Sequence, residues 1–304
     1  MCTLKESPMH TTRLDVNDFD LAATLGCGQA FCWQKRGKWF TGVIDDNAIA
    51  LRQDRTPDGI LEVMAYPELD EGRVAHYLGL EDDLFEIVQE VGRDAYTRGV
   101  LHRWWGLRVM RQTLWESLAS FICATNRNVA AIDKTVMGIR RRAGEPIGVR
   151  KKSPFSVEHY VFPTPESVSG LSIKQLRACG LGYRVSYLLE TAQMFEPISP
   201  HSYEEAKRWL MGFKGVGNKV ADCVSLFGLE MLDVFPIDRW IRYALQTHYA
   251  ECTPLKCSKS SSLTPSEYGQ LSGWARGYFG RYAGYAQEYL FHEMRMGSDY
   301  QSKR

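Results

Sequence analysis

The sequence predicts an α+β protein in which an N-terminal antiparallel β-sheet domain precedes a larger all-α domain. Two observations divide the chain this way. Short alternating or aromatic runs separated by turn residues are confined to the first third. From Arg111 onward those runs stop, and apolar residues recur at helical spacing instead. The expected domains are therefore residues 1–105 and 106–304. A chain of 304 residues, 44% hydrophobic and 24% charged, has room for two such cores, which excludes a disordered chain and a disulfide-stapled mini-fold.

Taken in order, Ala30–Trp33, Lys38–Val43, Ala48–Arg52 and Leu61–Tyr66 read as strands, with Asp45-Asp46-Asn47 turning the chain between the second and third. Leu84, Ile87, Val88 and Val91 are spaced as one face of a helix. Leu114, Leu118, Phe121 and Ile122 make a second stripe, and Val129, Ile132, Val136 and Ile139 a third. Residues 144–166, rich in Gly, Pro and basic side chains, read as a loop. Helical patterns return at 172–178, 184–195, 203–212, 218–229, 238–248 and 279–295, with a Lys/Ser-rich loop around Ser258–Ser262. No apolar run is long enough to cross a membrane, so no membrane partner is expected.

The net charge of +1 hides a segregation: residues 1–100 carry −8 and residues 101–160 carry +7. A basic segment beside an acidic one fits an anionic partner, and fits a solvated basic helix as well. Eight cysteines without a CxxC pair read as free thiols of a reducing compartment. The first residues hold no apolar signal-peptide core, so the expected setting is inside the cell.

The most informative stretch is Leu210-Met211-Gly212-Phe213-Lys214-Gly215-Val216-Gly217-Asn218-Lys219-Val220-Ala221-Asp222. An amphipathic helix ends, a Gly-rich turn follows, and a second helix begins near Asn218. Gly215 and Gly217 allow positive φ and close approach of another chain. The unpaired N–H groups that open the second helix suit a phosphate, although an ordinary αα-hairpin would share this pattern. Lys219 lies in the first turn, where the helix dipole disfavours a second positive charge. Partial burial would act in the same direction, towards a neutral, nucleophilic amine. Pro236-Ile237-Asp238 then places a carboxylate where the next helix starts, as an N-cap or as a functional group.

The order Gly-Phe-Lys-Gly-Val-Gly-Asn-Lys, then Pro-Ile-Asp, resembles the helix-hairpin-helix DNA glycosylases. The resemblance implies that Lys219 attacks C1′ of the damaged nucleotide and holds the sugar as a Schiff base, and that Asp238 stabilises the developing positive sugar and helps activate the lysine. β-Elimination would then nick the strand. Endonuclease III-like members carry four cluster-binding cysteines after the aspartate, but only Cys252 and Cys257 occur there, which excludes a four-thiolate iron–sulfur cluster. With His248 those two thiols would make at most a partial zinc site.

Four more segments resemble 8-oxoguanine DNA glycosylase, in the same order along the chain. They are Gly26–Trp33, Phe121–Asn128, Leu181–Arg184 and Tyr282–Phe291, and with the hairpin they span residues 26 to 291. The resemblance implies that the Gly28 carbonyl reads the N7–H that distinguishes 8-oxoguanine from guanine. Gln287 would meet the Watson–Crick edge, while Phe291 and Cys223 would cover the two faces of the base. Asn126, Arg127, Tyr183 and Arg184 match the region that fills the vacated stack and contacts the orphan base, with Gly215 and Gly217 at the phosphate.

Two positions depart from the family pattern. Ala131 stands where the eukaryotic enzymes have an arginine that helps read the opposite cytosine, so a weaker preference for cytosine is expected. Trp240 stands where they have a phosphate-contacting histidine. The expected protein is a bifunctional glycosylase and lyase acting, as a monomer, on duplex DNA containing oxidised guanine. No redox cofactor or catalytic metal is implied. The alternatives are a glycosylase for another lesion and a non-catalytic DNA-binding module. The cell compartment would be the nucleoid region of a prokaryote or the nucleus of a eukaryote.

Overall fold

The computed structural model describes residues 9–125, 127–148, 154–155, 157–254 and 263–297. The loop expected around Ser258–Ser262 lies outside the described residues. Strand β1 (His10–Val16) is followed by a short helix, α1 (Leu21–Gly26), and by β2 (Gln34–Arg36), β3 (Trp39–Ile44), β4 (Asn47–Gln53) and β5 (Gly59–Tyr66). These strands form one antiparallel sheet in the order β1-β5-β4-β3-β2. Leu61, Val63 and Ala65 alternate inward along β5, and they meet Ile49 and Leu51 of β4 in one core with Val74, Tyr77 and Leu78. That core is closed by α2 (Glu71–Tyr77), whose N-cap Asp70 accepts from the Arg73 N–H.

Two departures from the expected elements have local causes. Ala30–Trp33 does not pair as a strand. Gly28 precedes it in the left-handed region at φ 94°, and Phe31 and Cys32 turn inward instead. Strand β1, whose burial alternates along a largely polar HTTRLDV run, forms an edge and, among the described residues, pairs only with β5. Its weak apolar signal hid it from the sequence pattern.

After α3 (Leu84–Val91) and α4 (Ala95–Arg103) the chain enters its helical part. There follow α5 (Leu114–Ala124), α6 (Val129–Ala143), the two-residue strands β6 (Pro146–Ile147) and β7 (His159–Tyr160), α7 (Pro165–Ser169), α8 (Ile173–Ala178) and α9 (Arg184–Met194). The hairpin pair is α10 (Tyr203–Leu210) and α11 (Asn218–Gly228), and α12 (Arg239–His248), α13 (Pro265–Phe279) and α14 (Ala283–Met296) complete the order. The larger core draws Cys27, Phe31, Leu84 and Leu101 together with Phe121, Val220, Ile241 and Leu290. Helix α14 packs on α3, α4 and α12, and every residue from Ala283 to Leu290 is buried.

One side chain fastens the sheet to the helices. Gln29, buried, donates to the Arg108 carbonyl at 2.8 Å and accepts from the Met110 N–H at 2.7 Å. Its own carbonyl accepts from the Gln112 side chain at 2.8 Å. Gln112 in turn donates its backbone N–H to Phe227 at the end of α11, 2.8 Å away. The backbone at residues 28–29 is thereby held in register with the hairpin helix.

Candidate active site

Phe213 and Val216 are buried and pin the hairpin turn from inside, leaving Lys214, Gly215 and Gly217 outside. The two glycines differ. Gly215 sits at φ 82° against the Tyr187 ring, so a Cβ there would meet both strain and overlap. Gly217 is in extended backbone with nothing within 4 Å of an added Cβ. It opens α11 without a side-chain cap, so the first N–H groups of that helix receive no acceptor from their own N-cap residue.

Lys219 projects from this first turn onto an aromatic floor, its Nζ 5.0 Å from the Phe121 ring. Phe121 is itself stacked on Phe227 at 5.6 Å and met edge-on by Phe31 at 5.8 Å. One turn along α11, Cys223 is buried and hydrogen-bonded to Lys219. Burial acts to lower the lysine, but Cys223, Asp238 and Glu288 outweigh it, and the amine stands above the ordinary lysine value. This corrects the expectation of a depressed amine: the surrounding acidic groups, not the helix dipole, decide the sign. Burial pushes the Cys223 thiol up to about 12, so it is a neutral thiol at pH 7.

Asp238 caps α12. Its Oδ1 accepts from the N–H groups of Trp240 at 2.8 Å and Ile241 at 2.9 Å. Burial still pushes the carboxyl above the usual range, against those two bonds and the nearby Lys219. Asp238 is thus the N-cap of α12, and it also lies within electrostatic reach of the lysine.

Helix α14 completes the site because Gly284 lets it press against Leu226 of α11, with the Gly284 N–H donating to Leu232 at 2.8 Å. Gln287 is 5% exposed and its Oε1 has no hydrogen-bond partner, an unusual state for a buried amide. Phe291 lies half-buried one turn on. Gly28 faces this helix: a Cβ there would lie 2.7 Å from Arg295 Nη1 and 3.1 Å from Val129 Cγ2. The structure thus joins Lys219 to Cys223 by a hydrogen bond, sets Asp238 and Glu288 within electrostatic reach of the amine, and links Gly28 and Phe291 through Arg295, which bonds the Cys27 carbonyl and lies 5.3 Å from the Phe291 ring.

The remaining expected positions form a separate edge. Tyr183 is 55% exposed, with the Arg184 guanidinium 4.3 Å from its ring. Arg184 is buried and donates to the carbonyls of Thr125 and Leu181. Arg127 bridges Thr135 Oγ1 at 2.8 Å and the Gly180 carbonyl at 2.9 Å. Both guanidiniums are committed to holding this edge of the protein. Asn126 lies outside the described residues.

The model of the 8-oxoguanine DNA glycosylase N-terminal domain matches residues 11–118. The N-glycosylase/DNA lyase OGG1 of Arabidopsis thaliana is 28% identical over 295 residues, covering 92% of this chain and 78% of that one. Across most of its length the chain is therefore similar to 8-oxoguanine DNA glycosylases. The solved structure of MBOgg1 in complex with a low-affinity DNA ligand superposes with a TM-score of 0.82 at 26% identity, covering 95% of this chain and 98% of that one. The Clostridium acetobutylicum 8-oxoguanine glycosylase/lyase, in complex with duplex DNA containing cytosine opposite 8-oxoG, gives 0.79 at 26% identity, over 95% and 97%.

Three features of the site and its surroundings escape sequence reading. Glu288 is buried beside Cys27 and within electrostatic reach of Lys219 and Asp238. Its only sequence signal is an acidic residue among Ala286, Tyr289 and Leu290. Arg295 carries no signal, because its contact with residues 27–28 exists only in the fold. Asp222, fully buried, accepts from Tyr203 and Tyr268 and pairs with Lys207 at 3.0 Å, a network invisible from its place after Val220-Ala221.

Proposed function

We propose that the chain excises 8-oxoguanine from duplex DNA and then nicks the strand, as a bifunctional glycosylase and lyase of base-excision repair. The observation that carries this reading is the placement of the Lys219 amine: in the first turn of α11, hydrogen-bonded to Cys223 and within electrostatic reach of Asp238 and Glu288. A DNA clamp that only bound phosphate would need none of these groups.

In this reading the flipped nucleotide enters between Cys223 and Phe291. The Gly28 carbonyl accepts from the N7–H of the lesion, and the unpartnered Gln287 Oε1 accepts from the Watson–Crick edge. The Asp238 carboxylate stabilises positive charge growing on the sugar as the C1′–N9 bond breaks. The Lys219 amine bonds to C1′ as the base leaves with the C1′–N9 electron pair; the nitrogen then gives up one proton, its lone pair opens the C1′–O4′ bond, and O4′ takes up a proton, leaving a protonated imine. Loss of a C2′ proton then expels the 3′-phosphate. Tyr183, exposed, is the wedge that fills the vacated stack, with Asn126 beside the orphan base. Arg127 and Arg184 stiffen that edge, and Gly215 and Gly217 admit the phosphate to the open end of α11.

Among the described residues no helix is long and apolar enough to cross a membrane. The protein is proposed to act as a monomer on intracellular DNA, without a cofactor, its sheet domain over 1–105 and its helical domain over 106–304. The test is borohydride trapping on an 8-oxoguanine duplex. Wild type is expected to form a covalent adduct and Lys219→Gln none. An adduct that persists in Lys219→Gln, or no adduct with wild type, overturns the reading.

A further inference from the structure

Two requirements on the carboxylates near Lys219 conflict. The lysine is an ammonium in the free protein and must lose a proton before its lone pair can attack carbon. Asp238 faces it, but an Asp238 that took this proton would be neutral when positive charge develops on the sugar. Its Oδ1 is also fixed by two backbone N–H groups. A second acceptor resolves the conflict, because two carboxyl groups in different environments can take different roles.

Glu288 is placed for that role. It is 3% exposed, and its Oε2 has no hydrogen-bond partner. A buried carboxylate oxygen left unpartnered is costly, and a packing role does not account for it. Cys27, after α1, is hydrogen-bonded to it, and the charged or titratable groups within its electrostatic reach are Lys219 and Cys223 on α11, Asp238 at the start of α12, and Arg295 on its own helix. Its neighbour Gln287 holds the other unpartnered buried side-chain oxygen of α14.

We propose that Glu288 is the proton acceptor that frees the Lys219 amine for attack. This rests on Lys219 being the nucleophile. In the step, the Nζ–H bond breaks and its proton passes to the Glu288 carboxylate. The lone pair left on Nζ forms the bond to C1′, and the C1′–N9 pair departs with the base. The proton now on Glu288 is the one available to neutralise the departing base anion. Burial holds the carboxyl at about 7, against Cys27 and Arg295, which lower it. Such a group exchanges a proton readily near neutral pH.

The test is single-turnover excision from an 8-oxoguanine duplex between pH 5.5 and 9, with borohydride trapping, for wild type, Glu288→Gln, Glu288→Asp and Lys219→Gln. Trapping by wild type and none by Lys219→Gln establishes the nucleophile; wild type without an adduct overturns that assignment and this proposal together. The wild-type rate is expected to rise with pH and level off near 7. Glu288→Gln is expected to be slower by about 10²-fold at pH 7, with its rate still climbing at pH 9. Glu288→Asp, which keeps the acid with a shorter reach, retains the limb at a reduced rate. A Glu288→Gln enzyme with the wild-type profile overturns the proposal. So does one slowed equally at every pH, which would mark a structural role. Should Glu288→Gln fail to fold, a Glu288→Asp enzyme with the wild-type rate throughout overturns it as well.

Discussion

Tyr268 donates a 2.7 Å hydrogen bond to the fully buried Asp222 carboxylate and accepts one from the Ile237 N–H at 3.0 Å. Helix α11, which carries Lys219, is thereby linked to the residue immediately before Asp238. Tyr268→Phe removes both bonds and leaves one Asp222 oxygen and one backbone N–H unpaired. A loss of roughly 1–3 kcal/mol is expected, read by denaturant unfolding. Single-turnover excision should fall with it, because Asp238 loses its brace. An unchanged rate in Tyr268→Phe would show that Asp238 is placed by its cap bonds alone.

The hairpin glycines are expected to respond unequally. Gly215→Ala forces a side chain into the left-handed region and onto the Tyr187 ring. It should cost roughly 2 kcal/mol or more and weaken binding to duplex DNA. Gly217→Ala meets open space and should leave the melting temperature nearly unchanged. Thermal melting and duplex titration of the two variants provide the comparison.

Glu288 makes stability fall with rising pH. A carboxyl whose folded value is about 7, raised from 4.5, binds its proton more tightly when folded. Its favourable contribution is complete below about 4.5 and is lost as pH rises through about 7. Glu288→Gln, which cannot ionise, should match wild type near pH 4.5. It should exceed wild type by roughly 3 kcal/mol above pH 8. Urea unfolding at the two pH values measures the difference.

Opposite-base discrimination is expected to be weak. Ala131 offers no hydrogen-bonding side chain, and Arg127 is held by Thr135 and Gly180 rather than reaching outward. Excision of 8-oxoguanine opposite cytosine and opposite adenine should differ by about tenfold or less, on the scale of one lost polar contact. A preference for cytosine of several orders of magnitude would contradict this.

The parts legible in the sequence were those encoded locally. The hairpin turn, Lys219 in the first turn of α11 and Asp238 at the start of α12 all follow from adjacent residues. Gln287 and Phe291 were legible only as part of a recognised segment. The sign of the Lys219 shift was not, because it depends on Cys223, Asp238 and Glu288 meeting in space. Strand β1 and helix α4 were missed for a related reason. Their faces are too polar to show periodicity, and tertiary packing with Asp94 as a cap defines α4 instead.

The bonds of Gln29 bear on how such a protein could be rebuilt. Its side chain is bonded to Arg108 and Met110, and its carbonyl to Gln112, so the adjacent Gly28 takes its position from the helical side of the molecule. A chimera that borrowed the five-stranded sheet of a relative would retain a correctly aimed Gly28 carbonyl only if residues 106–112 were transplanted with it. The useful unit of exchange is therefore a discontinuous one.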